Sequence, residues 1–301
     1  MKRPFLLVIL LIILILPSYA QVSEWWVEEG SHSYGETTDS PLFTSYPGGL
    51  VVDWQRKVAI SKGAAALAGP MTIENRAKIK KLAREMAIEK LILLIGFVRI
   101  DGFTRLSDAI DRDFSLNTAI NKLIRKTYNV VHEKVYKDQS MLEVTVEFEL
   151  TGKAGLSGTL FPVYLKTLPP SPATLPASRP SLESTSEACT GLIVDASNLG
   201  IEGGLVPNIF SENGEQIFNL TRNPDKSVLI LDGVVDYAPA TGHSSGEISR
   251  AGENPLIISA KSKLKSPYNC DIVVTQEDAE RIKNADAASY FLRRLRVVIL
   301  L

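Results

Sequence analysis

The chain has 301 residues, with 33 basic and 34 acidic side chains, a formal net charge of −1 and 45% hydrophobic residues. That near-neutral balance argues against nucleic acid or an anionic membrane as the main partner, since both need an excess of Lys and Arg. Two cysteines and three scattered histidines give no zinc-site spacing, and no P-loop or G-x-G-x-x-G run occurs.

The chain opens with a secretory signal. Lys2 and Arg3 form the positive end, Phe5–Leu16 is an unbroken apolar run, and Pro17 breaks it before the small-x-small site Ser18-Tyr19-Ala20. The run is shorter than the roughly 20 residues of a spanning helix, which predicts cleavage after Ala20 and no integral membrane span afterwards. No Cys follows the run to carry a lipid. Localisation is therefore expected to be periplasmic or secreted. Residues 21–52 mix Trp25, Trp26, Gly, Ser and Pro without a period and read as an irregular lead-in. A partner-binding tail is the alternative.

A first α/β domain is predicted over 53–160. "RKVAISKGAAAL" reads as a strand. "TIENRAKIKKLAREMAIEKLILLI" reads as a long helix capped by Thr72, with Ile79, Leu82, Ala83, Met86 and Ala87 on its apolar face. Gly96 ends it, and "FVRID" reads as a strand. "LSDAIDRDFSLNTAINKLIRK" holds one or two helices with Ser115 as a cap. "MLEVTVEFEL" alternates strictly, placing Leu142, Val144, Val146, Phe148 and Leu150 in a core and Glu143, Thr145, Glu147 and Glu149 in water. "TYNVVHEKVY" precedes it as the partner of an antiparallel hairpin, and His132 within it reads as an ordinary strand histidine. The Pro-rich stretch 167–187 is a linker.

A second domain over 188–301 is predicted as a small mixed sheet with helices near the C-terminus, so the whole is α+β to α/β in two small domains. Residues 190–195, 255–261, 271–275 and 296–300 are short apolar strands. "VPNIFSENGEQIF" is a hairpin about Asn213-Gly214. Thr275 and Asp278 resemble a capping box. The last strand is expected to be buried. Cys189 and Cys270 each directly precede an apolar strand. If those strands are parallel neighbours, the pair lies within the ~4.4–6.8 Å a disulfide needs, and a disulfide is expected.

"TGLIVDASNLGIEGGLVPNIFSENGEQIF", "NPLIISAKS" and "CDIVVTQEDAERIKNADAASYFLRRLRVVIL" resemble exported bacterial proteins related to flagellar assembly protein T and the associated small outer-membrane lipoproteins. "AREMAIEKLILLIGFVRIDG" and "VVHEKVYKDQSMLEVTVEFEL" resemble the N-terminal α/β module of that group. The resemblance implies a periplasmic protein, and in one class a part in a ring around the flagellar motor. It brings no catalytic residue set. The chain departs from the lipoprotein branch in lacking the lipidation Cys, and it does not show the third domain of a full flagellar assembly protein T.

One motif invites a catalytic reading. Gly242-His243-Ser244-Ser245-Gly246 fits G-x-S-x-G, the nucleophile elbow of α/β-hydrolases. An elbow needs an apolar strand directly before it and a helix directly after, whereas "YAPAT" and "EISRAGENP" flank this one. No histidine follows His243 to complete a triad, so Ser244 and Ser245 are expected on an exposed loop with His243 unpartnered. The acids of "SDAIDRDFS" and "QEDAERI" read as solvated faces and helix starts. The sequence thus predicts no enzyme, no catalytic residue, no cofactor and no metal. It predicts a non-enzymatic structural or interaction protein of the cell envelope with protein partners. The alternative is a periplasmic module binding a small ligand or cell-wall component at the strand ends near Asp195 and Asn198.

Overall fold

The computed structural model describes residues 40–136, 140–167, 188–220 and 226–301. The expected signal peptide and lead-in up to residue 39, the expected hairpin connection at 137–139 and the expected linker from 168 to 187 lie outside the described residues. The described residues form one compact unit.

The N-terminal half is an antiparallel sheet packed by helices. Its strands are β1 (Phe43–Tyr46), β2 (Leu50–Asp53), β3 (Val58–Ala66), β4 (Asn129–Tyr136) and β5 (Met141–Glu149). Among the described residues they run in the order β1-β2-β3-β5-β4, every neighbour antiparallel. Leu142, Val144, Val146 and Phe148 are buried as their alternation requires. Each contributes roughly 1.5–3 kcal/mol as an upper bound. Thr145 and Glu147 are buried as well, contrary to the solvent face expected of them. The reason is that β5 lies between β3 and β4, and Arg56 closes over Glu147 with two parallel bonds of 2.7 Å.

The long helix α1 (Ile73–Leu94) lies across this sheet, capped where Thr72 Oγ1 accepts the Asn75 amide at 3.1 Å. Its buried face is Ile79, Ala83, Ala87, Ile88, Leu91 and Leu94. The two alanines face Gly63 of β3, where a Cβ would overlap the Ala83 carbonyl and the Ala87 amide. The helix backbone therefore rides directly on the strand. That close approach turns Leu82 and Met86 outward, so they are exposed rather than in the core. Helices α2 (Leu106–Arg112) and α3 (Phe114–Thr127) follow. Asp113, not Ser115, caps α3, its Oδ1 accepting the amides of Ser115 at 2.9 Å and Leu116 at 3.4 Å. A further helix, α4 (Leu156–Thr167), buries Leu156, Leu160, Phe161 and Tyr164 despite Pro162 in its interior.

Among the described residues the C-terminal half holds two sheets rather than one. Strands β6 (Gly191–Asp195), β9 (Asp236–Ala238), β10 (Pro255–Ser259) and β13 (Val297–Leu300) form a parallel sheet in the order β10-β6-β13-β9. The last strand, β13, is buried throughout between β6 and β9. A mixed sheet runs β11-β12-β7-β8, from β7 (Ile209–Ser211), β8 (Gln216–Phe218), β11 (Ser262–Lys263) and β12 (Ile272–Val274). The hairpin about Gly214 joins β7 to β8, with Gly214 at φ 82. Helices α5 (Lys226–Asp232) and α6 (Gln276–Ser289) complete it. The capping box of α6 is formed, with Thr275 Oγ1 accepting the Asp278 amide at 3.0 Å and donating to its carboxylate at 2.8 Å.

The two-sheet arrangement overturns the disulfide. Cys189 precedes β6 of the parallel sheet, whereas Cys270 precedes β12 of the mixed one, so the strands behind them are not neighbours. Both thiols are free, Cys270 fully buried.

The halves share a continuous apolar cluster. Trp54 packs edge-on against Tyr237 at 5.9 Å, while its indole N–H donates to Thr44 Oγ1 at 2.8 Å. Gly203 lies against the indole, where a Cβ would overlap the ring. Tyr237 Oη accepts the Gly204 amide at 3.0 Å and donates to the Gly204 carbonyl at 2.9 Å. Nearby, Lys57 and Arg250 both grip the Asp236 carboxylate. Arg250 also donates to the carbonyls of Leu295, Asp232 and Gly233.

Candidate functional site

Asp195 stands at the C-terminal end of β6 in the parallel sheet, and Asn198 is exposed in the turn that follows. Asp195 is committed to that turn. Its Oδ1 accepts the Ser197 amide at 3.1 Å and the Ser197 hydroxyl at 2.7 Å. The loop carrying Ser244 leaves the same end of the sheet after β9. Ser244 and Ser245 are exposed. Ser244 and Glu247 satisfy one another's amides, the reciprocal pairing of a capping box. His243 is not unpartnered, because its Nδ1 lies 3.1 Å from the Pro239 carbonyl. Beside Lys57, Trp54, Phe161 and Tyr237 there is a cavity of about 20 Å³, room for about one water. Among the described residues no three His, Cys, Asp or Glu side chains converge to hold a metal.

The structure concentrates charge elsewhere, at a seam between the two halves. Residues 97–101 read from sequence as a strand, but the segment 98–106 folds back as a tight arm. Ile100 N donates to Thr104 O at 2.8 Å, Leu106 N donates to Val98 O at 2.9 Å, and Arg99 bridges Arg105. The amides of Leu205 and Val206 then dock on the carbonyls of Arg99 and Ile100, at 3.0 and 2.6 Å. At the tip, Asp101 Oδ1 accepts the Phe103 amide at 2.9 Å and Oδ2 accepts the Tyr164 hydroxyl at 3.0 Å. Tyr268 N donates to Gly102 O at 3.1 Å, which brings the segment before β12 onto the arm.

That segment delivers Asp271, which is 0% exposed. Its Oδ1 accepts the Asn208 amide at 2.9 Å and side chain at 3.1 Å, while Oδ2 is buried without a hydrogen-bond partner. Gly102 is required here, since a Cβ would overlap Oδ2. Burial pushes the Asp271 carboxyl up to about 6, the Asn208 bonds pull against it, and the Asp101 carboxylate adds to the rise. Burial and the same two acids also raise the Cys270 thiol, which makes it a poor nucleophile. Tyr164 is raised by burial and by Asp101.

On the other flank, Tyr46 and Phe97 stack at 6.4 Å with their planes 22° apart. Arg99 lies over Tyr46 at 5.4 Å and Arg105 over Phe97 at 5.7 Å, while Tyr268 covers Arg105 at 4.4 Å. Burial lifts the Tyr46 hydroxyl to about 12 despite Arg99. Sequence reading passed over Asp101, Arg105, Tyr164 and Asp271. Gly102 in "RIDGFTR" was their single local signal. The seam can hold charge out of water and present a fixed guanidinium at its rim.

No helix among the described residues is long and apolar enough to cross a membrane. No curated protein shows significant similarity to the chain. Residues 191–301 match a family described as the second domain of Treponema pallidum Tp0624, a domain of unknown function, which carries no statement about flagellar assembly; the C-terminal half of this chain is thus similar to that domain.

Proposed function

We propose that the chain is a non-enzymatic structural or interaction protein of the cell envelope, exported by its signal peptide and working through protein partners. The resemblance read in its sequence to proteins related to flagellar assembly protein T favours a large envelope assembly, of which the flagellar base is one. One observation carries this reading. Leu82, Met86 and Leu93 stand at spacings of four and seven on α1, one face of a helix, and all three are exposed, Leu93 by 77%. Apolar side chains grouped on a single exposed face mark an interaction surface.

The test is co-purification of the tagged full chain from envelope fractions, beside the variant Leu82→Glu/Leu93→Glu with its folding checked by circular dichroism. A discrete set of proteins held by the parent and lost from the folded variant supports the reading. Equal recovery by both removes α1 from it. A chain that elutes alone, with a melting temperature raised by a cell-wall fragment, supports the ligand-binding alternative instead.

A further inference from the structure

The aromatic stack at the seam holds two arginines in unequal states. Arg99 at one end has a carboxylate, since its Nη2 pairs with Glu202. Arg105 at the other end has none. Among the described residues its guanidinium enters no ion pair, its Nε is buried without a partner, and its terminal nitrogens make no hydrogen bond. Asp108, the acid closest in sequence, is engaged with the backbone amide of Arg105 at 2.7 Å rather than with its side chain.

The guanidinium is nonetheless fixed. Its guanidinium carbon lies over the rings of both Phe97, at 5.7 Å, and Tyr268, at 4.4 Å, and Tyr268 is itself anchored by its amide on the Gly102 carbonyl. The next residue, Asn269, takes a left-handed φ of 50 and accepts the Glu202 amide at 3.1 Å, which ties the Tyr268 loop to the residue that neutralises Arg99. A stacked guanidinium gives up little freedom on binding and offers a planar fork matched to carboxylate and phosphate oxygens. Phe103, two residues before it at the tip of the same arm, is 58% exposed.

We infer that Arg105, stacked on Phe97 and Tyr268, is a receptor for an oxyanion group, a carboxylate or a phosphate, carried by a ligand or partner. The site is separate from the exposed face of α1 and stands whether or not that face binds protein.

The full chain, ¹⁵N-labelled, is titrated with inorganic phosphate and separately with acetate, at ionic strength held constant with chloride. The Arg105 Nε–H signal is assigned by its loss in Arg105→Gln, and thermal melting is followed in parallel. A saturable shift of that signal with either anion, together with a rise in melting temperature that is absent from Arg105→Gln, supports the site. A response to phosphate alone assigns it to phosphate, and a response to acetate extends it to carboxylates. Arg105→Lys keeps the charge without the fork and is expected to bind roughly tenfold more weakly. It also serves as the folded comparison if Arg105→Gln does not fold. No saturable response to either anion beyond chloride, or equal responses in parent and folded variant, overturns the proposal.

Discussion

Replacing Asp271 with Asn tests the energetics of the seam. The side chain is fully buried, with one oxygen bonded to Asn208 and the other facing the Asp101 side of the arm without a partner. Its carboxyl titrates near 6 in the fold, against an ordinary 3.8. Below about pH 4 both folded and unfolded chains hold the proton, and Asp271 costs nothing. Between 4 and 6 the unfolded chain ionises first, so the cost grows as pH rises. Above 6 the full cost is present, about 3 kcal/mol at about 1.36 kcal/mol per pH unit. Asn keeps the acceptor for Asn208 and carries no charge. The stability of Asp271→Asn relative to the parent should therefore rise by up to about 3 kcal/mol from pH 4 to pH 7.5, most of it between 4 and 6. Urea denaturation of both proteins across that range measures it. A difference that stays flat with pH, or that falls as pH rises, refutes the account of Asp271.

Tyr237→Phe removes the hydroxyl that serves both the amide and the carbonyl of Gly204 in a buried place, and should cost about 1–3 kcal/mol in the same assay. Arg250→Lys cannot reproduce a fork shared among Asp236 and four backbone carbonyls, and should cost about 3 kcal/mol or more. Gly63→Ala drives a methyl into the backbone of α1 and should lower the melting temperature sharply, whereas Gly69→Ala, with open space at its Cβ and only its φ of 101 to strain it, should lower it far less. Denatured chain without reductant should give two reactive thiols. None would restore the Cys189–Cys270 disulfide.

Elements whose signal is local were legible in the sequence. The alternation of "MLEVTVEFEL" placed Leu142 to Phe148 in the core, Thr72 and Thr275 announced the starts of α1 and α6, and the apolar end of the chain became a central strand. What failed depended on which elements become neighbours. Cys189 and Cys270 hold the same place before an apolar strand, yet sequence does not say that those strands enter different sheets. Leu82 and Met86 fit a helical core stripe, but Gly63 with Ala83 and Ala87 draws the helix so close that the stripe narrows. Pro162 and the flanking glycines hid α4, which tertiary burial of Phe161 and Tyr164 holds in place. The seam was invisible for the same reason. Asp101 and Asp271 meet only because the arm 98–106 docks on residues 204–206 and 268.

The central claim is that this chain works by binding other proteins through an exposed apolar face. A photo-crosslinking residue placed at Leu93 of the full chain, illuminated in intact cells, tests it directly. The account predicts discrete adducts heavier than the chain in the envelope fraction, and none from the same residue at Glu149, an exposed position on another element. Adducts from neither position, or equal and diffuse adducts from both, would contradict it.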